Sequence, residues 1–163
     1  MSRNLTLTIK HDPDTEMPED GYDGWKLVSF NKKHINNQNP NLYFPISLGL
    51  RRKFQVGLAF ILDYYEHVLG FWSIEGHGTQ CPWDTAKNAG ILLWTGKPKD
   101  IGAKTIIDRQ KDAENFLNEY NMWANGETYY YTLTQEKELF DSCGGFIGLD
   151  YLIQQLPLQK GDK

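Results

Sequence analysis

The residues able to do covalent or acid–base chemistry fall in two places. The segment 76–84, Gly-His-Gly-Thr-Gln-Cys-Pro-Trp-Asp, holds His77, Cys81 and Asp84. The segment 141–148, Asp-Ser-Cys-Gly-Gly-Phe-Ile-Gly, holds Asp141 and Cys143 beside three glycines. With His67 these supply the residue types of a nucleophilic enzyme, in which a thiolate attacks, an imidazole takes its proton and a carboxylate orients the imidazole. Cys81 or Cys143 would be the nucleophile, His67 or His77 the base, and Asp84 or Asp141 the orienting acid. No spacing brings such a set together, and free cysteines commonly pack as small hydrophobes. The glycines of 141–148, read as leaving a strand, allow a tight turn or a cradle for an anion.

Metal chemistry is weakly supported, because the two cysteines and four histidines show neither Cys-x-x-Cys nor His-x₃-His spacing. Residues 12–23 carry six acids, Asp12, Asp14, Glu16, Glu19, Asp20 and Asp23, with no Lys or Arg among them. They lack the order of acids and glycine that an EF-hand requires. The segment reads either as a solvated loop or as a negative patch suited to a basic groove on a partner, such as one built for nucleic acid. Trp83, between Pro82 and Asp84, reads either as an interface anchor or as a core side chain. No metal and no cofactor is expected.

Seventeen Lys and Arg against 21 Asp and Glu leave a formal charge of −4. That disfavours direct nucleic-acid binding, which needs a basic face, although Arg51-Arg52-Lys53 and Lys97, Lys99 and Lys104 form small basic clusters. No apolar run reaches bilayer length and the first residues do not read as a signal peptide, so a cytosolic protein with reduced thiols is expected.

The elements that must position these groups are legible in part. Residues 5–9 alternate apolar and polar side chains as a half-buried strand, stopped by Pro13. Residues 25–30 read as a second strand, and the Asn-rich residues 31–41 as an exposed excursion. Residues 58–69 and 71–74 form a strand hairpin, 75–88 a long irregular loop, and 89–95 a central strand apolar on both faces. The principal helix spans about residues 105–124. Ile106, Ala113, Phe116, Leu117, Tyr120 and Trp123 form its apolar stripe, Thr105 its cap and Asn125-Gly126 its stop. Residues 127–134 read as a strand, 135–138 as a polar turn, and 150–155 as a short helix ended by Pro157. The fold class is α+β with a mainly antiparallel sheet, in one domain over 1–158 with a frayed tail at 159–163.

The chain resembles a family of small phage and prophage proteins with an early Asp-Pro-Asp, a central Cys-Pro-Trp-Asp, a helix ending in Tyr-x-x-(Trp/Tyr)-x-x-Gly and a terminal Asp-Ser-Cys-x-Gly-Phe-x-Gly. The matches are Asp12-Pro13-Asp14, residues 81–84, Tyr120-Asn-Met-Trp-Ala-Asn-Gly126 and residues 141–148, in the same order over most of the chain. One departure is Cys143-Gly144-Gly145, where Cys-Trp-Gly is common. The resemblance implies a mobile-element origin and a bacterial cytoplasm.

The expected role is therefore that of an accessory protein that binds and inhibits a host bacterial protein, such as an antiviral defence component of the restriction or CRISPR type. The contact candidates are Asp12, Asp14, Glu16, Glu19, Asp20, Asp23, Trp83 and Asp84. The alternative is a small enzyme acting on a nucleotide signal or a host protein through Cys81, Cys143, His67, His77 and Asp84.

Overall fold

The computed structural model describes residues 4–18 and 24–156. Glu19, Asp20 and Asp23, together with Pro157 and the tail 159–163, lie outside the described residues. The fold is α+β, its strands pairing antiparallel in two sheets. The chain divides into two compact units, residues 1–18 with 122–163, and residues 19–121.

The first unit contains β1 (Leu5–His11), β6 (Thr128–Gln135), β7 (Glu138–Ile147) and α3 (Leu149–Gln155), the sheet running β1-β6-β7. Period-two alternation places Tyr131 and Phe146 on the buried face, where they meet Leu152 of α3 and Leu156. Leu7, Ile9 and Tyr129 pack around this cluster. The glycine segment 141–148 does not leave a strand, as the sequence suggests: it continues β7 through a bulge. Tyr129 pairs with Phe146 and Tyr131 with Cys143, so β7 carries one residue more than β6 across this interval. Gly145 absorbs the extra residue at φ 79°, a conformation open to glycine.

The second unit contains β2 (Trp25–Ser29), α1 (Leu48–Val56), β3 (Ala59–His67), β4 (Leu69–Ile74), β5 (Thr85–Trp94) and α2 (Ile106–Ala124) as far as Asn121. Its sheet runs β2-β5-β3-β4, so β5 is internal, as its apolar sequence requires. Leu27, Val28, Leu62, Ile91 and Leu92 are wholly buried. Gly90 lies where β5 pairs with Ser29 of β2, and a Cβ there would collide with the Val28 carbonyl oxygen. The expected loop over 75–88 is shorter than read, since β5 begins at Thr85.

Two further differences from the sequence reading have physical causes. Helix α1 goes unseen because it is only nine residues long and none of them is fully buried. Its ends are still well marked: the Ser47 hydroxyl accepts from Leu50 N–H and Gly57 closes the helix at φ 77°. The Asn-rich excursion folds back along β2. Ser29 N–H donates to Asn36 O, Gln38 N–H to Ser29 O, and the Asn36 amide to Leu27 O. His34 is fixed there by Ser29 Oγ at 2.6 Å and by edge-on contacts with Tyr64 and Trp72, and burial lowers its pKa. As expected from the sequence, Thr105 caps α2, its hydroxyl accepting from Asp108 N–H.

Helix α2 is tied to the second sheet at both ends of its buried face. Trp25 Nε1 donates to Asp112 Oδ2 at 2.7 Å. Near the other end, the Asn121 amide accepts from Trp72 N–H at 2.8 Å and donates to Trp72 O at 2.9 Å, taking the place of a neighbouring strand. Among the described residues no helix is long and apolar enough to cross a membrane.

Candidate functional site

Residues 81–84 form a turn that projects from the start of β5. The Thr85 N–H closes it on Cys81 O at 2.9 Å, while the Thr85 hydroxyl accepts from Cys81 N–H and donates to Thr79 O. Asp84 O accepts from Glu66 N–H, and Asp84 Oδ2 lies 3.3 Å from His67 Nδ1. The turn is thus closed on itself through Thr85 and joined to the end of the β3–β4 hairpin through Asp84. On this platform Trp83 stands 91% exposed, unlike Trp25, Trp72 and Trp94, which are buried as expected of tryptophan. At the tip of that hairpin Val68 is 94% exposed and held at φ 69°. A β-branched residue in the left-handed region is strained.

Three of the enzyme candidates meet here. Cys81 Sγ lies 3.9 Å from Asp84 Oδ2, the same oxygen that His67 approaches. The order is thiol, carboxylate, imidazole, with the carboxylate in the middle. A nucleophile needs the imidazole in that place, between itself and the acid. Cys143, exposed on β7, belongs to the other unit and directs its thiol at Gly144 O. Among the described residues no cluster of three or more His, Cys, Asp or Glu is arranged to hold a metal ion.

The acidic segment is divided in its chemistry. Asp12 turns inward: Oδ2 accepts from Gly145 N–H at 2.8 Å and Oδ1 from Asp14 N–H at 3.0 Å. The Gly145 bond, followed by those from Asp14 and Thr15, holds the Asp12 carboxyl below its usual pKa despite some burial. The Asp-Pro-Asp and Cys-Gly-Gly motifs are thereby joined, and Asp12 fastens the β7 bulge. Asp14 and Glu16 are exposed.

His77 has a different setting. It follows β4 in a turn at the mouth of a groove of about 440 Å³ between β4 and α2, and its Nδ1 lies 3.1 Å from Glu114 Oε1. Beneath that turn sits Asp63, wholly buried on β3, a residue with no local sequence signal to single it out. Its Oδ2 accepts from Gly76 N–H at 2.9 Å, Gln80 Nε2 at 3.1 Å and Lys87 Nζ at 2.9 Å, and Lys87 also donates to the Gln80 carbonyl. Among the described residues its Oδ1 finds no partner. Asp63 thus anchors the whole connection that carries His77 on one side and the 81–84 turn on the other. Sequence distance hides both arrangements: Glu114 and Lys87 reach these positions only through strand and helix pairing.

The basic clusters are partly spent on structure. Lys53 donates to Trp94 O, and Arg109, beside Lys99 and Lys104, donates to Ala103 O and Val56 O. Comparison with protein-family models, curated proteins and solved structures finds no match to this chain.

Proposed function

We propose that the protein works by stoichiometric binding to another protein, which it blocks, and that the 81–84 turn is the centre of the contact surface. The observation that carries this reading is Trp83, held almost fully exposed on a turn that Cys81 and Thr85 close by hydrogen bonds and that Asp84 ties to Glu66. Exposing a tryptophan forgoes a large hydrophobic gain, and a rigid one loses little entropy when it is buried by a partner. Tryptophan is also prominent among residues that dominate interface energy. Val68, strained and exposed at the tip of the hairpin to which Asp84 is bonded, adds a second exposed apolar side chain.

The resemblance to phage and prophage proteins supplies the partner class: a protein in the cytoplasm of a bacterial host, with antiviral defence components of the restriction or CRISPR type as first candidates. Exposed Asp14 and Glu16 add negative charge suited to a partner that handles nucleic acid. The test is capture of host proteins on immobilised wild type and Trp83→Ser, followed by titration of the captured partner's activity. The reading requires capture that Trp83→Ser weakens about 30-fold or more, as loss of an interface anchor does. It also requires inhibition that saturates at one equivalent. Capture indifferent to Trp83, or inhibition complete far below one equivalent, overturns it.

The contact of Cys81, Asp84 and His67 keeps a Cys/His enzyme as the second reading. It requires Cys81→Ser to abolish activity in a chain that still folds.

A further inference from the structure

The groove between β4 and α2 shares no residue with the Trp83 turn. We infer that it is a binding site for an uncharged ring compound bearing several hydroxyl or amide groups, the chemistry common to nucleosides and sugars. Its volume of about 440 Å³ falls within the range of small-molecule sites. One wall is aromatic, with Tyr65 and Phe71 lining the groove and Phe71 41% exposed, an apolar surface awaiting a flat or C–H-rich face. The Ser73 and Thr79 hydroxyls and the Asn118 amide, also in the lining, offer donors and acceptors.

Charge narrows the ligand. Among the described residues no Lys or Arg lines the groove, so a phosphate would enter beside the Glu114 carboxylate without a compensating cation. Among the described residues Glu114 is the sole acid in the lining, and it already meets His77, which leaves no set of oxygen ligands there for a dication. Glu114 fixes the imidazole through Nδ1 and leaves Nε2 as the hydrogen-bonding atom for a ligand.

The groove is also built before any ligand arrives. Asn121 locks α2 to the backbone of Trp72 at its base. At its mouth the His77 N–H is bonded to Ile74 O, and Asp63 holds the adjoining Gly76 N–H. A preformed cavity with convergent polar groups spares a ligand the cost of ordering it.

The test is saturation-transfer NMR with adenosine, adenosine 5′-monophosphate and N-acetylglucosamine, on wild type, Asn118→Ala and Phe71→Ser. Both substituted side chains are exposed, so thermal unfolding should stay at the wild-type temperature and report an intact fold. Expected is binding of adenosine or N-acetylglucosamine that weakens at least tenfold in each variant, with the monophosphate at least fivefold weaker than adenosine. Which of the two uncharged compounds binds assigns the groove to nucleosides or to sugars. Silence from both at millimolar concentration overturns the inference, as does binding unchanged in the variants or tighter for the monophosphate. Each of those failures leaves the Trp83 surface untouched.

Discussion

Replacing Asp63 by Asn removes a charge from the interior of the second unit while keeping the side chain's shape. At present one oxygen takes three donors, the Gly76 N–H, the Gln80 amide and the Lys87 ammonium. A hydrogen bond to a charged group contributes about 1.5–3 kcal/mol against about 1 kcal/mol for a neutral pair, so the Gly76 bond weakens by about 1 kcal/mol. The Lys87 side chain is 54% exposed, and its screened ion pair adds no more than about 0.5 kcal/mol. The new amide nitrogen is a buried donor without an acceptor, which costs about 1 kcal/mol more. The expected loss is about 2 kcal/mol at neutral pH, a fall of about 1 M in the urea midpoint.

The pH dependence separates this account from a simple packing defect. Burial opposes ionisation of Asp63, but the Gly76 N–H, Lys87 and Gln80 together outweigh it and hold the carboxyl below 3.8. A carboxyl whose folded pKa is depressed brings stability that is present above the unfolded value and lost as pH falls through the folded one. The midpoints of wild type and Asp63→Asn should therefore converge as the buffer is taken from about pH 5 to about pH 2. Urea titrations followed by the fluorescence of buried Trp25, Trp72 and Trp94 measure both arms. A gap that stays constant or widens in acid refutes the reasoning.

Asp12→Ala should free Gly145 N–H and cost about 1–2 kcal/mol, seen as faster amide exchange at Gly145 and along β7. Because the Gly145 bond depresses the Asp12 pKa, wild type should lose this protection on acidification. Burial, then the hydrogen bond to Asp141, raises the Tyr131 pKa to about 12. Folding thus favours the neutral phenol, and the stability it brings is lost as pH climbs from about 10 toward the folded value. Tyr131→Phe should flatten that alkaline loss in thermal unfolding. Trp83→Ser should leave the urea midpoint within the shift expected of about 0.5 kcal/mol while it weakens partner capture about 30-fold or more.

The sequence was most informative where one element's own periodicity met its own caps. The stripe through Ala113, Leu117 and Tyr120, with Thr105 before it and Gly126 after, is a complete local description of α2. The β3–β4 hairpin and internal β5 were equally local, being apolar runs between breakers. Helix α1 carried caps but spans only nine residues, too short for its apolar pattern to repeat, and a reading led by periodicity passed over it. Tertiary pairs were invisible. Asp12 looked like one solvated acid among six, yet its carboxylate serves a glycine 133 positions away. Cys81, Asp84 and His67 were rightly considered together, but only the fold sets the carboxylate in the middle. Glu114 gave no local sign of its role, because its nearness to His77 depends on how α2 lies along β4.

The hydrogen bonds that Asn121 makes to Trp72, and those that the 31–38 segment makes to β2, have a consequence for how the molecule behaves in a crowded solution. β2 and β4 are the outer strands of the second unit's sheet, and an outer strand with open ladder groups recruits strands from other chains. Here both borders are closed by side chains and loop backbone of the same molecule, with two asparagines, Asn36 and Asn121, as the fasteners. Substituting Asn121→Leu would keep a helix-forming residue and still reopen Trp72's N–H and C=O to any neighbour. The expected fault in such a variant is self-association growing with concentration, from a chain that has folded correctly.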